Sequence, residues 1–131
     1  MQQADLGRAT LIPIDRTIEY QGVSFRILTA KREPARGEAD RLSLQVEAEN
    51  RSGNLVFVFY NEEVRLIGAE GQTLAVDDYT LETALEPGRA YTGYLFVEVG
   101  RGEEQLTLQW GKRSLPKVEL ALDLSVSGKS D

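Results

Sequence analysis

Catalysis by this chain would have to rest largely on carboxylates, because 21 Asp and Glu accompany no cysteine and no histidine. No thiolate nucleophile, imidazole base, disulfide or Cys/His metal site can be assembled from that composition. Ser-His-Asp catalysis is excluded with them. Asp77 and Asp78, with Glu82 nearby, are the metal candidates, since a hard cation such as Ca²⁺ takes oxygen ligands. Their spacing is not that of an EF-hand and no second carboxylate cluster shares the loop. Solvated loop acids, or a cap for a short helical turn, explain them better. A carboxylate pair can also hydrolyse a glycoside if the two groups stand at the right separation. So many acids in a small domain give accidental pairs, and no catalytic residue is assigned.

Two other groups of side chains could hold a ligand. Trp110, with Tyr91 or Tyr79, could stack on a sugar ring or a proline. Trp110 shares a strand face with Leu106 and Leu108, however, which predicts a core tryptophan. Lys112, Arg113 and Lys117 surround Pro116 in a basic loop that could hold an anion, or could be a solvated rim. No cofactor is implied by any of these.

Elements must position whatever site exists, and they are strands. Leu42, Leu44, Val46 and Ala48 alternate with Ser43, Gln45, Glu47 and Glu49, the pattern of a half-buried β-strand. Asn50 to Asn54 supply turn chemistry, and LVFVFY (Leu55 to Tyr60) predicts a second strand running back as a hairpin. Both faces of that second arm are apolar, so it needs cover on both, from the chain or from a partner. Upstream, Thr10 to Ile14 predicts a short edge strand containing Pro13. Thr17 to Tyr20 leads to a turn at Gln21-Gly22. Val23 to Lys31 alternates and then blurs at Leu28. Glu33 to Asp40 predicts a mobile surface loop.

Downstream, Val64 to Glu70 and Gln72 to Val76 predict a hairpin about Gly71. Leu81 and Leu85 predict a short helical turn ending before Pro87-Gly88. Gly93 to Val99 places Leu95, Val97 and Val99 on one face, and Tyr94, Phe96 and Glu98 on the other. Gln105 to Trp110 and Val118 to Val126 alternate cleanly. Strands at short spacing with glycine turns predict an all-β, antiparallel sandwich of seven to nine strands. The expected organisation is a flexible lead-in over residues 1–9, one domain over 10–126 and a flexible tail over 127–131.

The order of turns resembles a family. GVSFRILTAKRE, LSLQVEAENRSGN, VRLIGAEGQTL and LEPGRAYTGYLFVEV are similar to the telokin-like, immunoglobulin-like domains of bacterial secreted proteins and lipoproteins, a family of unknown function. The likeness covers Gly22 to Leu124. It implies an immunoglobulin-like sandwich in an extracytoplasmic setting, secreted, periplasmic or lipid-anchored, and it carries no catalytic residues across. Neither a signal peptide nor a lipobox cysteine is read in the sequence, since Met1 to Ala9 has no basic region followed by an apolar one.

A formal charge of −6 argues against a nucleic-acid footprint and against an anionic membrane surface. No apolar run approaches the roughly 20 residues that span a bilayer. The remaining expectation is a non-enzymatic interaction module binding a protein partner or itself, with a carbohydrate- or Ca²⁺-binding accessory module as the alternative. The expected contact residues are Val56, Val58, Tyr60, Tyr94 and Phe96, read as one exposed apolar patch.

Overall fold

Polar–apolar alternation becomes strand pairing throughout the computed structural model, which describes residues 10–112 and 118–125. The expected lead-in and tail, and the basic loop residues Arg113 and Lys117, lie outside the described residues. In chain order the elements are β1 (Thr10–Tyr20), β2 (Val23–Pro34), β3 (Ala39–Asn50), β4 (Val56–Phe57), α1 (Tyr60–Glu63) and β5 (Val64–Ile67). Then come β6 (Thr73–Ala75), β7 (Asp78–Tyr79), β8 (Ala84–Leu85), β9 (Ala90–Gly100), β10 (Gln105–Trp110) and β11 (Val118–Asp123). They pair as β1-β2-β3-β9-β7, as β11-β10-β5-β6, and as the ribbon β4-β8. Every pairing is antiparallel.

The fold is an antiparallel β-sandwich. Phe25, Ile27, Leu44, Val46, Leu95 and Val97 of the first sheet join Leu66, Leu108, Trp110 and Leu122 of the second in one buried core. The contact of the Phe25 and Trp110 rings, centroids 4.3 Å apart, ties the two layers. Each such side chain contributes about 1.5–3 kcal/mol by leaving water, so the alternating strands determine which faces meet. The eleven strands among the described residues exceed the expected seven to nine because the chain between β3 and β9 is cut into short pieces.

Several local expectations change. The first strand runs unbroken in register through Tyr20 except for a bulge at Pro13/Arg16, where Asp15 has φ 51° and accepts from Arg26 Nε at 2.8 Å. The blurred alternation at Leu28 is a second bulge, between Ile27 and Thr29 of β2. Both ends of Glu33 to Asp40 are strand, and Ala35 to Glu38 make the turn between them. Gln21 and Gly22, at φ 56° and 79°, make the two-residue turn of the β1–β2 hairpin. The Gly71 hairpin forms between β5 and β6 as expected.

The hairpin expected after β3 does not form. β3 is enclosed by β2 and β9, so the chain leaves the sheet at Asn50 and pairs with β8 instead. No helical turn forms at Leu81 to Leu85 either. The amides of Asp77 and Thr80 donate to the carbonyls of Phe96 and Tyr94, at 2.9 Å each, and hold residues 77–80 extended along β9, while Ala84 and Leu85 are drawn into the ladder with β4. The short helix lies at α1.

Segment 80–81 crosses β9 so closely that a Cβ on Gly93 would sit 2.5 Å from Leu81 Cα. Gly93→Ala is therefore expected to lower stability by about 1–3 kcal/mol, read as a lower urea midpoint by circular dichroism. An unchanged midpoint would mean that the crossing relaxes freely.

Candidate functional site

The chain's exit from β3 is built around one side chain. Asn50 is fully buried, and its Nδ2 donates to the carbonyls of Asn54 and Leu85 at 2.7 Å each. Its Oδ1 accepts from the Ser52 amide at 2.9 Å and from Ser52 Oγ at 2.8 Å. Every hydrogen-bonding position of the amide that matters for the turn is used, which a buried amide requires. The turn delivers Leu55 beside β8, and the Val58 amide then donates to the Thr83 carbonyl at 3.0 Å.

That alignment decides which face of the apolar run is buried. Val56, Val58 and Tyr60 point into the core, and the Tyr60 hydroxyl donates to the Glu82 carbonyl at 2.7 Å. Leu55, Phe57 and Phe59 point outward, 49%, 54% and 49% exposed. The expected contact residues Val56, Val58 and Tyr60 are thus core residues, and the exposed row is the alternate one. Sequence periodicity carried no signal for this choice, because both faces of the run are apolar.

Next to the row lies an open groove of about 630 Å³, lined by Phe59, Asn61, Glu62, Glu63, Val64, Arg65, Thr73, Ala75 and Lys112. Its charged floor is occupied by structural bonds. Glu63 Oε1 accepts from the Tyr20 hydroxyl at 2.5 Å and Oε2 from the Phe59 amide at 2.9 Å. Burial, followed by the hydrogen bond and charge of Glu63, pushes the Tyr20 phenol well above its ordinary range, so it stays a neutral donor. Arg65 donates to Gln109 Oε1 at 3.2 Å and to the carbonyls of Glu62 and Gly111 at 3.2 and 2.8 Å. Buried charges held this way fix α1 against β5.

The remaining candidates are dispersed. Asp78 pairs with Arg41 at 3.9 Å and accepts from the Tyr79 amide, while Asp77 and Glu82 are exposed. Among the described residues no group of three acidic side chains stands close enough to hold a metal ion. Tyr94 and Phe96 lie on the outer face of the five-stranded sheet, with ring centroids 6.1 Å apart and planes at 16°. The Arg41 guanidinium lies 4.5 Å over the Phe96 ring. With Val56, Val58 and Tyr60 in the core, the single patch expected from these five residues does not exist. Trp110 is fully buried against Phe25 and Tyr60, and Tyr79 packs edge-on to Tyr60. Tyr91 accepts the Glu86 amide through its hydroxyl.

No family model and no curated protein matches the chain. Solved structures are similar to it in fold. A conserved hypothetical protein from Bacillus anthracis superposes with a TM-score of 0.64 at 6% identity, over 89% of this chain and 97% of that one. A Bacillus subtilis protein described as a "putative lipoprotein" gives 0.65 at 14% identity over 85% of this chain, which spans only 39% of that one. A functionally unknown protein from Listeria monocytogenes gives 0.60 at 10% identity, over 92% and 88%. No described helix is long and apolar enough to cross a membrane.

Proposed function

We propose that the domain is a non-enzymatic, extracytoplasmic interaction module whose contact surface is the row Leu55, Phe57 and Phe59. One observation carries the reading: three neighbouring large apolar side chains are each about half exposed in a domain that buries their alternates completely or nearly so. Contiguous apolar exposure of that kind marks a contact surface. The non-enzymatic part is supported by the groove, where both oxygens of Glu63 and the guanidinium of Arg65 are already engaged. The extracytoplasmic part is supported by the turn order that resembles telokin-like, immunoglobulin-like secreted domains, and by the description of one fold neighbour as a "putative lipoprotein".

Benzoylphenylalanine placed at position 57 is expected to cross-link one defined protein in the native host, and the same label at Glu98 none. Equal capture from both positions, or no adduct from 57, would overturn the reading. Phe57→Glu is expected to weaken the captured complex by about 2 kcal/mol or more, the loss typical of an interface anchor. Light scattering over a wide concentration range then separates another protein from a second copy of this chain.

A further inference from the structure

We infer that the Leu55–Phe59 edge accepts, as an added β-strand, an extended peptide whose every second position, all on one face, carries apolar and basic residues; this rests on the contact surface proposed above and names its partner class. The backbone supports it first. In an antiparallel ladder the bonded residue pairs recur every second position. Val58 donates to Thr83, and Val56 is opposite Leu85 in the same phase. The N–H and C=O groups of Leu55 and Phe57 therefore turn to the far edge of β4, where no described backbone group meets them. An edge with free main-chain groups and an apolar row on its outer face is what strand addition uses.

The edge is short, since β4 has 2 residues, but it lacks the side-chain defences. Proteins blunt free edges with lysine, proline or bulges. β1, the free edge of the five-stranded sheet, carries Pro13, Arg16 and the bulge between them. Asn54 to Glu63 contains no lysine, arginine or proline.

Charge selects the partner. Continuing the β4–β8 register sets Glu86 opposite Leu55 and Glu82 opposite Phe59, on the same outer face as the row. Glu62 is exposed at the groove end of the row. Glu86 has a loose, exposed pair with Arg89 at 3.7 Å, whereas Glu62 and Glu82 form no ion pair with the described residues. An incoming strand lies within roughly a Debye length of these carboxylates, and the whole chain carries −6. Lysine or arginine beside apolar residues is thus favoured, and a second copy of this acidic chain is not.

The test is a titration of the ¹⁵N-labelled domain with a capped peptide of sequence Lys-Thr-Val-Thr-Val-Thr-Lys, which sets valine and lysine together on one face. Amide shifts are expected to concentrate at residues 55–59 and on β8. Binding should weaken at least tenfold when glutamate replaces lysine, and at least tenfold when alternate peptide nitrogens are methylated in the phase that faces the edge. Equal binding by both N-methylated phases would reduce the contact to side-chain adsorption and overturn strand addition. Shifts elsewhere, no binding at millimolar peptide, or the same shifts produced by raising the protein concentration alone would overturn it too. If cross-linking from position 57 succeeds while the peptide fails, the contact surface stands and only strand addition falls.

Discussion

Asp40→Ala is expected to cost about 3–5 kcal/mol of folding stability, the loss found when one partner of a buried ion pair is removed. Asp40 Oδ2 accepts from Arg32 Nε at 2.7 Å, and both side chains are nearly buried. Arg32 continues to the carbonyls of Glu103 at 2.6 Å and Gly100 at 2.9 Å, clamping the β2–β3 turn to the β9–β10 turn. Arg101 adds a bond to Asp40 Oδ1 at 3.1 Å, but its side chain is half exposed and water screens its share. Removing the carboxylate leaves the Arg32 charge buried beside two carbonyls.

The same pair sets a pH dependence. Burial alone would raise the Asp40 pKa, yet the hydrogen bonds and charges of Arg32 and Arg101 outweigh it and hold the carboxyl below the usual range. A group with a depressed folded pKa stabilises the fold fully above its unfolded value, about 3.9. That contribution is lost as pH falls through the folded value. Urea unfolding followed by circular dichroism from pH 7 to pH 2 should show the gap between the native protein and Asp40→Asn narrowing below about pH 4. A gap that stays constant would mean that the pair contributes no linkage.

Asn50→Asp preserves volume but replaces both donors with a buried carboxylate oxygen that faces two carbonyls, and its expected cost is about 1–3 kcal/mol or more. Those carbonyls belong to Asn54 and Leu85, so the variant strikes the turn that aims the exposed row. Its pH response is expected to have the opposite sign to that of Asp40. A protonated carboxyl regains one donor, so the variant should recover part of its stability in acid. Hydrogen exchange at the Val58 amide, which donates to Thr83, should accelerate before global unfolding. Protection equal to the native level would show that the β4–β8 ribbon does not depend on Asn50.

Half-buried strands were legible because each of their side chains has one permissible face. Leu42 to Ala48, Leu95 to Val99 and Leu106 to Trp110 alternate, and Leu42, Leu44, Val46, Ala48, Leu95, Val97, Val99, Leu106, Leu108 and Trp110 are all buried. Even the disturbance at Leu28 was visible, as a bulge must shift the alternation. Leu55 to Tyr60 was legible only in part. Its excess of apolar surface was plain, but a run with two apolar faces gives no reason to bury one of them. The decision came from long-range bonds, Asn50 to Leu85 and Val58 to Thr83. Local spacing equally misplaced the helix. Leu81 and Leu85 are both buried four residues apart, but bonds to β9 just before them and the pairing of Ala84 and Leu85 with β4 draw the chain out, whereas α1 forms where the Glu62 and Glu63 amides both reach the Phe59 carbonyl. The groove's floor joins Tyr20, Glu63 and Arg65, residues that neither spacing nor composition relates.

Trp110 is the only tryptophan in the chain, and it is sealed from solvent between Phe25 and Tyr60. Its indole is therefore a single, unambiguous fluorophore with a blue emission that must move to the red when the two layers part. Because Tyr60 begins α1 directly after Phe59, that emitter also lies one ring away from the exposed row. One optical signal can report both the integrity of the sandwich and disturbance at its contact edge, without any label attached.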